Sequence, residues 1–196
     1  MDFVSTLGIA MGAAWVSGIN LYATVATLGL LSRFANLRLP GELESLTSWW
    51  VIGVAAALYV IEFIADKVPV FDSFWDVVHT FIRIPAGAAL AATAFGDYDR
   101  SLQVIAFLIG GGIAFTSHGA KASTRAAINT SPEPVSNITA SLVEDGVAFG
   151  SILLAVFYPI AIIVVVIIFV IASIFILPKI FSFLRRAFSR FRRATG

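Results

Sequence analysis

Ionisable side chains recur at helical spacing within an otherwise apolar chain. Asp72, Asp76, His79 and Arg83 stand at i, i+4, i+7 and i+11, the spacing that places side chains on one face of an α-helix. Carboxylates and histidine can accept, hold and donate protons. This face could therefore relay protons or bind a small ion.

A second polar face lies later in the chain. His118, Lys121 and Arg125 share one side of another predicted helix, and acidic and amide residues follow it. We predict that both faces contribute to one site. The candidate site residues are Glu62, Asp66, Asp72, Asp76, His79, Arg83, His118, Lys121, Arg125, Glu133, Asn137, Glu144 and Asp145.

Residues 134–145 echo residues 69–80. Both stretches begin Pro-Val, and an ungapped alignment matches Asp72 with Asn137 and Asp76 with Ser141. The echo suggests an internal duplication, in which each copy places a polar stripe after a proline.

Composition indicates the solvent that surrounds these stripes. Hydrophobic residues make up 59% of the 196 residues and charged residues 13%, against roughly 45–50% and about 25% in ordinary globular chains. This excess predicts a membrane protein with one domain. A net charge of +1 argues against a nucleic-acid partner, because such domains carry a strong basic excess. The absence of cysteine excludes disulfides, thiolate metal sites and a cysteine nucleophile.

Charges inside a membrane must face inward, pair or touch water, since each costs about 2.5–3.5 kcal/mol at the centre of a lone helix. One interpretation is a paired network that only holds the helices together. We favour the other, an aqueous pathway or polar binding cavity, because a few hydrogen bonds would suffice for packing.

The elements that position these residues are predicted to be helices. We expect an all-α polytopic transmembrane bundle spanning residues 1–178, with two pseudo-repeated helix-break-helix units. The breaks lie at 66–69 and 129–134, where proline disfavours helical geometry in the preceding residue, and either break is alternatively a re-entrant loop. The predicted helices are residues 4–31, 50–66, 70–95, 102–128 and 134–177, the last kinked near Pro159.

Residues 179–196 carry six basic residues and no acid. Phenylalanines at helical spacing make this an amphipathic tail that should lie along a membrane surface. Positively charged segments stay on the cytoplasmic side. We therefore predict a multi-pass protein of the cytoplasmic membrane with a cytoplasmic C-terminus, the lipid bilayer as partner, and a homo-oligomer as an open alternative.

No cofactor is expected, because nothing resembles a glycine-rich phosphate loop or a serine-nucleophile elbow. Asp76, His79, Glu144 and Asp145 offer the nitrogen and oxygen ligands that divalent cations use. No compact metal motif is present, so the sequence leaves a metal site open.

Four motifs resemble a family of small multi-pass membrane proteins of bacteria and plastid-bearing eukaryotes, catalogued as a domain of unknown function. They are Glu62–Pro69 (EFIADKVP), Trp75–Gly87, His118–Arg125 and Asn129–Asn137 (NTSPEPVSN). Thr80–Gly87 is also weakly similar to the arginine-proline-glycine re-entrant segment of the DedA lipid-transport superfamily. The family resemblance implies a membrane location and leaves the activity open.

Our leading hypothesis is a transporter or channel for a small ion or polar solute through a charged central cavity, with proton coupling at the carboxylates and histidines. A lipid-headgroup flippase or scramblase is the runner-up. An intramembrane enzyme with Asp76 and His79 as an acid–base pair, or an accessory membrane subunit without catalysis, complete the alternatives. An enzyme is the less favoured class.

Overall fold

The computed structural model describes residues 1–68, 71–129 and 134–194, with the backbone alone for residues 134 and 183–194. Every regular element in these ranges is helical, which confirms the predicted all-α bundle. The elements are α1 (Phe3–Phe34), a 3₁₀ helix (Gly41–Thr47), α2 (Trp49–Ala65), α3 (Phe71–Ala94), α4 (Arg100–Ile128), α5 (Pro134–Phe157) and α6 (Pro159–Ala194).

Five of the described helices are long and apolar enough to cross a membrane: α1, α3, α4, α5 and α6. A sixth span is possible by length if the 3₁₀ helix and α2, which meet at a 73° bend, cross together. The chain is therefore a multi-pass integral membrane protein.

Helix α1 is the centre of the bundle and packs against each of the other five α-helices. Nearly half of its residues are glycine, alanine, serine or threonine, and such small residues allow helix backbones to approach closely. A Cβ at Gly18 would collide with Ser117 and with the backbone of α4, and a Cβ at Gly87 of α3 would collide with Ser17 and Ala114. These contacts bring α1, α3 and α4 together beside the polar residues.

The backbone of α1 is not continuous. Asn20 has φ −149° and ψ 98°, which is not helical, and its Oδ1 accepts a hydrogen bond of 2.9 Å from the Ala23 backbone N–H. This is the geometry of an N-cap, the residue that begins a helix. Residues 3–19 and 21–34 are thus two half-helices, whereas the sequence predicted a single helix over residues 4–31.

Within each helix-break-helix unit, the two helices diverge from each other. Helices α2 and α3 make little contact with each other, and so do α4 and α5, while α3 and α4 pack along much of their length. A groove of about 580 Å³ remains between α1, α2 and α3. Residues 80–87 lie within α3, which continues through Pro85 without a break.

The apolar run after Asp145 forms two helices that meet at Tyr158, next to Pro159, where the sequence predicted either a kink or the meeting point of two elements. Helix α6 continues through Pro178 to Ala194. Its 36 residues extend about 54 Å at 1.5 Å per residue, more than the roughly 30 Å hydrocarbon core. Its C-terminal part, the predicted tail, must therefore extend beyond that core.

Candidate functional site

The ionisable residues meet in one buried region between α1, α2, α3, α4 and α5, which we call the central cluster. Of the thirteen predicted site residues, only Glu133 falls outside the described residues. Glu144 is the most exposed of the other twelve, at 17% of its side chain, and the rest are buried. The central cluster comprises Glu62, Asp66, Lys67, Asp72, Asp76, His79, Arg83, His118, Lys121, Arg125, Asn129, Asn137, Ser141, Glu144 and Asp145.

Arg83 joins α2 to α3. Its Nη2 lies 2.8 Å from Glu62 Oε1, and its Nη1 lies 2.9 Å from Asp76 Oδ1. The isolation of Glu62 in an apolar run predicts a cationic partner from another helix, with Lys121 and Arg125 as the candidates. Lys121 Nζ lies farther from Glu62 Oε1, at 3.7 Å, and no ion pair joins Glu62 to Arg125. Arg83 is therefore the closer partner of Glu62. Because helical side chains point toward the N-terminus of their helix, the long side chain of Arg83 also reaches back to Asp76 on the same helix.

Lys121 lies at the centre of the cluster. Its Nζ is 2.7 Å from Asp66 Oδ2 and 3.5 Å from Glu144 Oε2. It also donates a 3.2 Å hydrogen bond to the carbonyl of Ile19, the residue before the break in α1. A cation at a helix C-terminus is favourable, since the carbonyls there carry partial negative charge. Lys121 therefore ties the ion pairs to the end of the first half-helix.

Arg125 connects the two inter-helix junctions. Its guanidinium forms a bidentate pair with Glu144, at 2.7 and 3.1 Å. Its Nη1 donates to the backbone carbonyls of Asp66, at 3.0 Å, and Asn137, at 3.1 Å. One side chain thus stabilises the chain after α2 and the first turns of α5.

Asn129 lies between Asp72 and Asn137, which the alignment of residues 69–80 with residues 134–145 matched to each other. Its Nδ2 donates to Asp72 Oδ1 at 2.7 Å, and its Oδ1 accepts from Asn137 Nδ2 at 3.0 Å. Asp72 and Asn137 therefore contact opposite ends of one amide. This arrangement agrees with the echo, while the internal duplication itself stays a prediction.

The hydrogen-bond partners fix opposite tautomers for the two histidines. His79 Nδ1 faces the carbonyl of Trp75 at 2.9 Å, which only accepts, so the proton lies on Nδ1 and Nε2 accepts from the Tyr22 hydroxyl at 3.1 Å. His118 Nδ1 faces Arg83 Nη1 at 3.3 Å, which only donates. The proton of His118 therefore lies on Nε2 and is donated to Thr80 Oγ1 at 2.7 Å.

The central cluster holds more acidic groups than fixed cations. Six described carboxylates, from Glu62, Asp66, Asp72, Asp76, Glu144 and Asp145, accompany four cations, from Lys67, Arg83, Lys121 and Arg125. Several buried carboxylate oxygens also make no hydrogen bond within the described ranges. They belong to Glu62, Asp66, Asp72, Asp76 and Asp145. The cluster can therefore take up protons or small cations.

A cavity of about 380 Å³ reaches the cluster from its side. Lys121 and Glu144 line its polar part, while Trp15, Val147 and Phe169 contribute to its apolar walls. Through this cavity a solute or a lipid headgroup could reach the ion pair of Lys121 and Glu144.

A metal ligand set does not form at Asp76, His79, Glu144 and Asp145. Among the described residues, no three or more histidine and acidic side chains are arranged to hold a metal ion. The ion pairs explain this, because the carboxylate of Asp76 is paired with Arg83 and that of Glu144 is paired with Arg125.

Sequence reasoning did not place several residues in the site. Tyr22 and Thr80 contact the two histidines, and Ser141 accepts a hydrogen bond from Lys67 at 3.1 Å. Asn20 breaks α1 and contacts Asp145. The available signal was an asparagine in the middle of an apolar helix, a residue type that favours caps.

Comparison with known proteins identifies a family but no characterised relative. No curated protein and no solved structure gives a significant match to this chain. A family model described as Domain of unknown function (DUF4126) matches residues 7–179, and the chain belongs to that family.

Proposed function

We propose that the protein transports a small ion or polar solute through the central cluster, coupled to protons. The observation that carries this proposal is the convergence of three helix discontinuities on one charged centre. They are the break in α1 at Asn20, the junction between α2 and α3, and the junction between α4 and α5.

Discontinuous helices are a recurring way to build transport sites within a membrane. Their exposed carbonyls and N–H groups supply partial charges that bind ions and ionic solutes. In this chain, the Ile19 carbonyl at the break accepts a hydrogen bond from Lys121. Arg125 donates hydrogen bonds to the backbone carbonyls of Asp66 and Asn137, beside the two inter-helix junctions. A network that only held helices together would not need interrupted backbone at the same point.

The surplus of carboxylates supports proton coupling. A buried carboxylate without a cation is stable only when it is neutral. Uptake and release of protons would therefore change the charge of the centre, and with it the affinity for a second ion.

Flux measurements on purified protein in phosphatidylethanolamine–phosphatidylglycerol liposomes test this proposal. Jumps of sodium, potassium, ammonium, chloride, phosphate and neutral amino acids are applied in turn, and lumenal pH and charge movement are recorded. We expect at least one solute to move protons in wild type and not in Glu62→Gln. Asp99→Asn is the matched control, because Asp99 is an exposed N-cap of α4 and asparagine caps equally well.

Lipid transfer is the second candidate function, favoured by the cavity of about 380 Å³ that combines apolar walls with Lys121 and Glu144. Such a cavity could hold a headgroup at the ion pair and an acyl chain along α6. A dithionite assay with fluorescent phosphatidylethanolamine on the same liposomes separates the two. Lipid exchange without solute flux would replace the transporter proposal.

The proposed location is the cytoplasmic membrane, with the C-terminus in the cytoplasm. This orientation rests on the six basic residues after Pro178 and the absence of acids there.

A further inference from the structure

We infer that Asp145 is the residue that binds and releases the proton, at its Oδ2, and that Asn20 positions it. The role in coupling rests on the proposed function, whereas the proton site itself rests on the geometry of the described residues.

Asp145 differs from the other carboxylates of the central cluster. Each of the other five lies within 4.0 Å of a cationic nitrogen, and no ion pair at that distance involves Asp145. Its side chain is buried, with 8% of the residue exposed, and its Oδ2 makes no hydrogen bond. Burial without a counter-ion favours the neutral acid over the carboxylate.

The contact with Asn20 indicates which oxygen carries the proton. Asn20 Oδ1 is engaged by the Ala23 N–H, so only its Nδ2 donors can face Asp145. Nδ2 lies 3.5 Å from Asp145 Oδ1, so Oδ1 is the acceptor from Asn20, and we place the proton on Oδ2, which has no geometric hydrogen-bond partner within the described ranges. A donor facing a charged carboxylate would lie closer, since charge-assisted hydrogen bonds are about 2.7–2.9 Å long. The 3.5 Å contact is longer than that range and agrees with a neutral acid.

Loss of the proton would act directly on the break in α1. An ionised Asp145 attracts the Asn20 amide and the positive N-terminal end of the second half-helix, which shortens the contact. The negative charge would also draw Lys67, which donates to Ser141 one helical turn away on α5. The protonation state of Asp145 is thus linked to the position of the half-helix that contains Tyr22.

Other groups face Asp145 and set the pH at which it titrates. Lys67 and Asp66 approach from the end of α2, Lys121 approaches from α4, and Glu144 is its neighbour on α5. The Tyr59 hydroxyl of α2 lies within hydrogen-bonding reach of the Asp145 carboxyl group, and it can accept a hydrogen bond from the proton of the neutral acid. These groups include two cations and two carboxylates. The charges around Asp145 therefore offset one another, and no excess of positive charge holds Asp145 in its ionised form.

Infrared difference spectroscopy of the full-length protein in liposomes, titrated from acid to alkaline pH, tests the inference. We expect a carboxylic-acid C=O band in wild type at neutral pH that disappears at alkaline pH. Asp145→Asn should remove this band, and Asp76→Asn should keep it because Asp76 is paired with Arg83. A band unaffected by Asp145→Asn, or no band at neutral pH, would overturn the inference.

A second variant keeps the test decisive if Asp145→Asn does not fold. Asn20→Ser retains a cap for the second half-helix but removes the amide donor that faces Asp145. We expect the band to persist to higher pH, because the ionised form loses a donor; an unchanged titration would contradict the role of Asn20. Flux is measured on the same liposomes. If Asp145 titrates but no solute flux is seen, the proton site stands and the transport proposal fails. If flux is seen without an Asp145 band, the transport proposal stands and the proton site fails.

Discussion

Arg83 Nη2 lies 2.8 Å from Glu62 Oε1, and neither side chain is exposed. Glu62 belongs to α2 and Arg83 to α3, two helices that barely touch elsewhere. This ion pair therefore joins helices that apolar packing does not.

Arg83→Ala should destabilise the protein severely, by about 3–5 kcal/mol, because removal of one partner leaves a buried charge uncompensated. The double variant Arg83→Ala, Glu62→Gln should recover part of the loss, since the stranded charge on Glu62 is gone. Thermal unfolding in detergent checks this as a double-mutant cycle. Additive effects of the two substitutions would contradict the pairing.

The two histidines should be neutral and carry their protons on different nitrogens. The partners place the proton of His79 on Nδ1 and that of His118 on Nε2. Nitrogen NMR of histidine-labelled protein in liposomes at neutral pH should show one signal set of each tautomer. Because the chain has two histidines, His79→Gln assigns the spectrum, and two identical tautomers would refute the hydrogen-bond assignment.

Asn20→Ala should destabilise the protein by about 0.5–2 kcal/mol, the usual cost of losing an N-cap. Asn20→Ser should cost much less, because serine also caps helices. Thermal unfolding of both variants measures the difference. Equal stability for the two variants would mean that the break in α1 does not depend on the cap.

Exchange of Asp72 with Asn137 tests the arrangement around Asn129. Asn137→Asp alone places a carboxylate against the Asn129 carbonyl oxygen, which lies 3.0 Å from Asn137 Nδ2. Adding Asp72→Asn lets the Asn129 amide turn over and restores both hydrogen bonds. The double variant should therefore be more stable than Asn137→Asp in thermal unfolding. If the second substitution lowers stability further, the two positions are not interchangeable.

A reporter fused to the C-terminus should read cytoplasmic, because basic residues are retained on that side. Alkaline phosphatase and green fluorescent protein fusions give complementary readings. Alkaline phosphatase activity at the C-terminus would reverse the proposed orientation.

Hydropathy and helical spacing predicted the all-α membrane bundle, because lipid requires long apolar helices. The same spacing identified most of the central cluster, since charges in such helices must face inward. It did not predict that Arg83 would pair with Glu62, because ion-pair choice depends on side-chain reach between helices.

The break in α1 was also not predicted. An asparagine in an apolar run is compatible with a continuous helix, and only the packing of α4 and α5 around Asn20 makes the cap and the contact with Asp145 favourable together. Local sequence does not contain that information.

The central claim is that the buried charges serve transport and do not merely hold the helices together. Flux per folded molecule and thermal stability, measured on one preparation of Glu62→Gln beside Asp99→Asn, test it most directly. Because the glutamine amide can still accept a hydrogen bond from Arg83, we predict that Glu62→Gln largely keeps its stability and loses flux. A variant that loses its fold while flux per folded molecule stays intact would show that Glu62 is structural, and would contradict the account.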